Sequence, residues 1–205
     1  MKSPRWFLLL SVLASLAGCT SPSRRLDPQV VAQIQESIST RADVDKLLGH
    51  PLSLVTAANG RTLAIYEVAA LKTRGLLGPT QLHARRLSLL YDSRFVVERK
   101  LLSESATRYR QGWQDRLGQP LPRDQIIQAL QPQVTRTDLV AKFGPPTVES
   151  LTLDGDTVAG WVALQTASDV PSGVREQIVE VVFDPNNVIR DYRIVGVLEP
   201  PRPKP

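Results

Sequence analysis

One pattern occurs twice in this chain, 95 residues apart, and it restricts the possible folds more than any other feature. Thr40-Arg41-Ala42-Asp43 runs on to Leu48-Gly49-His50-Pro51, and Thr135-Arg136-Thr137-Asp138 runs on to Phe143-Gly144-Pro145-Pro146. The same spacing carries Tyr66 onto Trp161. Upstream, at a spacing of 96, Val30, Val31, Ile34 and Ile38 meet Ile126, Ile127, Leu130 and Val134, an apolar stripe at helical spacing in each copy. Downstream, at a spacing of 92, Tyr91-Asp92 meets Phe183-Asp184 and Val96-Val97 meets Val188-Ile189. The drift falls between elements, where loops absorb insertions. A fixed-period repeat of this kind implies one supersecondary unit built twice.

Each copy has a physical reading. Asp27-Pro28 supplies a cap and a first-turn proline for a helix running to about Ile38. Thr40 caps a second, short helix with Asp43 three residues on; Gly49 provides the left-handed residue that ends it, and Pro51 forbids continuation. Thr135, Asp138, Gly144 and Pro146 repeat those roles. The period then changes to two, predicting strands over 62–68 and 158–164, 85–91 and 177–183, and 95–102 and 188–195. Asn187 suits a left-handed turn position and Phe95 does not, so the two last hairpins are expected to turn differently. The expected fold class is α+β: two tandem two-layer units, each helix-helix followed by a three-stranded antiparallel sheet, over 27–103 and 122–198. Between them, Tyr109, Trp113 and Leu117 lie four apart before Gly118, predicting a helical connector over 104–121, with Gln119-Pro120-Leu121-Pro122 as the boundary. Residues 199–205 form a proline-rich, extended tail.

The first residues follow a different logic. Met1-Lys2-Ser3-Pro4-Arg5 precedes the apolar run Trp6 to Ser15, which stops at Leu16-Ala17-Gly18-Cys19. A basic start, a short apolar core and small residues before a cysteine resemble the precursors of bacterial lipoproteins. That resemblance implies a signal peptide over 1–18, peptidase recognition through Leu16, Ala17 and Gly18, and acylation (palmitate and related chains) at Cys19. Thr20 in place of Asp implies, by the same resemblance, an outer-membrane destination with the protein facing the periplasm. Cys19 is the only cysteine, so no disulfide forms within one chain. The tether, 19–26, is short: seven residues after Cys19 reach roughly 23 Å when extended.

Composition excludes several functions. Removing Lys2 and Arg5 with no acid lowers the formal charge from +5 to +3, and no basic stripe interleaved with aromatics supports nucleic-acid binding. The histidines are His50, beside the helix-closing Gly49, and His83, within the insertion 69–84; neither has catalytic or metal-ligand spacing. Asp43 reads as a cap and Asp154-Gly155-Asp156 as a hairpin turn, leaving no metal site, no catalytic residue and no cofactor other than the lipid on Cys19. Tyr66 and Trp161 read as strand-core aromatics. The inter-strand loop 71–79 combines Lys72 and Arg74 with Leu76 and Leu77, and these four, with Trp113, are the candidate contacts to a partner or to anionic lipid.

The Leu-Gly-x-Pro helix closure, at Leu48-Gly49-His50-Pro51 and as Phe143-Gly144-Pro145-Pro146, the strand aromatics Tyr66 and Trp161, and the turn Phe183-Asp184-Pro185-Asn186-Asn187-Val188 together resemble the SmpA/OmlA (BamE-like) family of small outer-membrane lipoproteins. The same unit occurs in tandem in the β-lactamase inhibitor protein. The usual Gly-Met before the short helix is Ser39-Thr40 or Val134-Thr135 here, and the turn glycine is Phe95 or Asn187. The resemblance implies a non-enzymatic accessory or scaffold in envelope assembly, with outer-membrane or periplasmic proteins, β-barrel assembly components among them, as partners and with anionic lipid in reach. The tandem arrangement leaves two alternatives: a binder or inhibitor of a periplasmic hydrolase, or a lipid-binding surface lipoprotein.

Overall fold

Both Thr-x-x-Asp sequences close capping boxes. In the computed structural model, which describes residues 26–73, 80–110, 116–131, 133–167, 173–196 and 198, Asp43 N–H donates to Thr40 Oγ1 at 3.3 Å while Thr40 N–H donates to Asp43 Oδ2 at 2.9 Å. Thr135 and Asp138 repeat the pair at 3.3 and 2.9 Å. Each box satisfies amides that the first helical turn leaves without partners. The helices they open are α2 (Arg41–Leu48) and α4 (Arg136–Phe143), which end on Gly49 at φ 76° and Gly144 at φ 79°. The preceding helices are α1 (Pro28–Ala32) and α3 (Arg123–Ala129). Helix α1 stops well short of Ile38: the chain turns, Ser37 takes φ 64°, and Ile38 is 67% exposed, while Val31 and Ile34 alone of that stripe are buried.

The expected helix-helix plus three-strand plan is corrected. Each half carries four antiparallel strands and only short helices, so the chain is mostly β. The first half has β1 (Ser53–Thr56), β2 (Thr62–Thr73), β3 (Thr80–Tyr91) and β4 (Val97–Arg110). After β5 (Arg116–Leu117), the second has β6 (Val148–Leu151), β7 (Thr157–Thr166), β8 (Val174–Phe183) and β9 (Ile189–Val195). Strands β1, β5 and β6 are the ones the sequence pattern did not predict. The predicted connector helix is also replaced. β4 continues to Arg110, and β5 pairs with both β4 and β7, giving one antiparallel path β1-β2-β3-β4-β5-β7-β8-β9 with β6 on β7. A four-residue spacing of aromatics is compatible with a strand whose alternate residues face outward, and in β4 Glu104, Ala106, Arg108 and Arg110 are exposed in that rhythm.

The turns match between halves more closely than expected. Phe95 at φ 60° and Asn187 at φ 62° both adopt the left-handed conformation. Phe95 N–H donates to Asp92 O and Asn187 N–H to Asp184 O, and each aspartate Oδ1 accepts two further backbone amides. Phe95 is held there because its carbonyl accepts Arg41 N–H, as Asn187's accepts Arg136 N–H, and because the Arg41 guanidinium lies 5.8 Å from its ring centroid.

The helices cover one face of each sheet. The first core joins Leu26, Ile34, Val44 and Leu48 to Tyr66, Leu87, Leu89, Tyr91 and Val97. The second joins Ile126, Leu130 and Leu139 to Trp161, Val179, Val181 and Phe183. A third cluster links the halves: Leu63, Ile65 and Leu90 of the first pack on Leu151 of β6, Ser88 and Ser150 hydroxyls lie 3.0 Å apart in the buried seam, and Arg99 donates to the carbonyl of Gly155.

Candidate binding surfaces

Of the five candidate contacts, Lys72 lies among the described residues. Arg74, Leu76, Leu77 and Trp113 lie outside them, as do Leu16, Ala17, Gly18 and Cys19. The loop expected over 71–79 is corrected at its start: Leu71, Lys72 and Thr73 complete β2, β3 begins at Thr80, and 74–79 lie outside the described residues. His83, expected in the insertion, sits within β3 opposite Ala70 and Ala106. His50 follows the Gly49 cap as expected.

Register gathers cations that sequence separates. Lys72 pairs with Gln81, and Gln81 pairs with Arg108, so Lys72 and Arg108 share one face of the sheet two strands apart, both exposed. Arg110, also exposed, pairs with Arg116 of β5. Leu71 on the opposite face is 54% exposed beside buried Leu82. No Asp or Glu occurs between Ala69 and Ala84. Thr73, Thr80 and Tyr109 form one register row, so the end of β2, the start of β3 and the end of β4 lie side by side. A helical connector over 104–121 hides Arg108 and Arg110; the alternation of cations with other residues in Thr107-Arg108-Tyr109-Arg110 is the sequence signal of a strand there.

The structural motif residues act within each half. Thr40 bridges Val96 and Thr135 bridges Val188, tying each capping box to the last hairpin. The hydrogen bonds from Thr40 and Thr135 hold the carboxyls of Asp43 and Asp138 below the usual carboxylate range. Both strand aromatics are buried, as expected. Trp161 Nε1–H donates to Gly144 O at 3.0 Å and its ring meets Phe143 edge-on, centroids 5.9 Å apart. Burial, reinforced by the charge of Asp45, pushes the Tyr66 hydroxyl up to about 12, and burial pushes Tyr91 higher still. Asp45 Oδ1 and both hydroxyls are buried facing one another, close enough to influence one another's protonation but without a well-formed hydrogen bond among the described residues. Across the sheet from them Glu67 and Arg86 form a buried ion pair, Arg86 Nε to Glu67 Oε2 at 2.8 Å, with Glu67 Oε1 left over.

Among the described residues no three His, Cys, Asp or Glu side chains gather as metal ligands, and no helix is long and apolar enough to cross a membrane. Compared with known proteins, the chain matches no family model, no curated protein sequence and no solved structure.

Proposed function

We propose that this protein is an outer-membrane lipoprotein, acylated at Cys19 and facing the periplasm, that serves as a non-enzymatic accessory or scaffold in assembling the cell envelope, β-barrel proteins included, through contacts with other proteins. The observation that carries the reading is the acid-free end of the β2–β3 hairpin, where exposed Lys72 and Arg108 share one sheet face. The described chain begins at Leu26, whose carbonyl accepts from Arg85 of β3 at 3.4 Å. From Arg85 the strand needs only about 17 Å to reach Thr80, within the roughly 23 Å span of the tether. A lipid on Cys19 and the cationic arm therefore reach the same leaflet, and each exposed cation near an anionic surface contributes on the order of 1 kcal/mol. The likeness of the capping and turn motifs to the SmpA/OmlA (BamE-like) family supports the assembly role.

Radiolabelled palmitate should label the wild-type chain and not Cys19→Ser, which should leave the membrane fraction. Crosslinked envelopes should yield barrel-assembly components with the tagged protein. Lys72→Gln with Arg108→Gln should weaken binding to anionic vesicles by about thirtyfold, two cations at roughly 1 kcal/mol each. A chain that stays unacylated, or one recovered alone after crosslinking, would overturn the proposal.

A further inference from the structure

The two halves treat one sheet edge differently. In the second, β6 pairs with β7 only as far as Gly160, and β5 then takes over the same edge, Leu117 against Leu164 and Arg116 against Gln165. Gly118 follows at φ 74°, so close to the edge that an added Cβ would stand 2.3 Å from Val162 O. The chain then reaches Leu121, whose N–H and carbonyl are both bonded by the Gln177 side chain, at 2.7 and 2.9 Å.

In the first half β1 pairs with β2 as far as Ile65, the counterpart of Gly160, and Leu52 N–H donates to Ile65 O just as Thr147 N–H donates to Gly160 O. Beyond Ile65, no strand among the described residues pairs with that edge of β2. A groove of about 220 Å³ opens there instead, walled by Leu26, Leu48, Leu52, Tyr66, Glu67 and Val68. Its walls stand where Leu121, Phe143, Thr147, Trp161, Val162 and Ala163 stand around the filled edge, 95 residues on. Two further differences leave polar groups for an occupant. Thr147 Oγ1 accepts Val162 N–H at 3.1 Å, whereas the counterpart of Thr147 is Leu52, which has no hydroxyl to accept from Glu67 N–H. Glu67, with a side chain 3% exposed, keeps Oε1 without a partner among the described residues.

We propose that the edge of β2 from Tyr66 to Ala70 is a strand-addition site, taking an extended peptide segment of a partner protein where β5 lies in the second half. An open edge offers amides and carbonyls in a row, and side-chain pockets beside it select the guest. The guest has a glycine where the backbone approaches Glu67, an apolar residue beside it over Ala69, and a hydrogen-bond donor for Glu67 Oε1. The chain's own residues at the matching spacing, Pro22 and Ser23, do not fit that template. Proline has no N–H to donate, and serine brings a Cβ to a place that tolerates none. The inference rests on the accessory reading only for where the partner is met; the groove does not depend on the anchor.

The test uses the chain from residue 20, without the lipid, and a labelled synthetic peptide copying residues 114–121. The peptide should bind saturably and slow amide exchange within 66–70 by about tenfold at saturation. Leu52→Glu, at the groove wall, should weaken binding by about tenfold, roughly 1.4 kcal/mol, while Leu54→Glu on neighbouring β1 leaves it within about twofold. Absence of any slowing at 66–70, or slowing at β9 instead, would overturn the site. If those amides are protected without peptide and lose protection when the chain begins at Leu26, the tether itself fills the groove and a partner strand is ruled out. Failure of the membrane role would leave peptide binding unchanged, so the two proposals fail separately.

Discussion

Where α2 meets the first sheet, Asp45 of the helix faces Tyr66 and Tyr91 of the strands; where α4 meets the second, Val140, Trp161 and Phe183 take their places. The second core is the more settled of the two. Its one indole N–H reaches Gly144 O, its rings meet edge-on, and β5 closes its sheet edge. The first core holds three buried polar atoms that face one another without well-formed hydrogen bonds among the described residues and keeps an open edge beside them. Burying a polar group without a hydrogen bond costs stability, so this half has kept features that packing alone would remove. On the proposal above, the copied unit serves in one half as support and in the other as contact.

The largest test of that division is at the seam. Strand β6 is pressed onto the first half, whereas its counterpart β1 is mostly exposed. Leu151→Ala should destabilise the whole chain by about 2–5 kcal/mol in urea titration, and Leu54→Ala on β1 by about 0.5 kcal/mol. Equal costs would mean that the halves are not interlocked. Next, Gly118→Ala should cost about 2–3 kcal/mol, from its left-handed backbone and the overlap with Val162 O, and should raise amide exchange along β7 at Ala163 and Gln165.

Smaller effects separate the two aromatics. Trp161→Phe removes the donor to Gly144 O and should cost about 1–2 kcal/mol. Tyr66→Phe removes a buried hydroxyl that faces Tyr91 and Asp45 without a well-formed hydrogen bond, and should change stability at neutral pH by less than about 1 kcal/mol. It should also reduce the alkaline loss. Because burial raises this hydroxyl's pKa from 10.0 to about 12 on folding, its ionisation leaves stability untouched below 10 and lowers it progressively as pH rises from 10 towards 12. Urea midpoints measured between those limits should fall less steeply in Tyr66→Phe than in the wild type. The smallest and most symmetric effect belongs to the caps: Thr40→Ala and Thr135→Ala should each cost about 1 kcal/mol. Because Asp43 and Asp138 have lowered pKa values, their contribution is present above the ordinary value of 3.8 and fades as pH falls below it.

The features legible in sequence were those fixed by local chemistry. Thr40 with Asp43, Gly49 with Pro51, and their copies at 135–146 identify capped helices because the hydrogen bonds and the positive φ are made within a few residues. The turns are more alike than the residues suggested: Phe95 accepts a left-handed backbone because Arg41, distant in sequence, bonds its carbonyl and covers its ring. Strands β1 and β6 were missed because four residues after a proline-marked stop carry too few alternations to show a period. The connector was misread for a related reason: Tyr109 and Leu117 are held by cross-strand pairing, which no local spacing reveals. Of the binding surface, Lys72 was legible as a cation among leucines. Its alignment with Arg108 and the open edge of β2 were not, since both exist only once three strands are in register.

The interlocking at Leu151 also sets an order of events. A chain shortened after Pro122 still has every residue of its first sheet, yet the face formed by Leu63, Ile65 and Leu90 has nothing to rest on until 148–151 arrives. Any event that removes the later residues therefore uncovers an adhesive apolar face on the part made first.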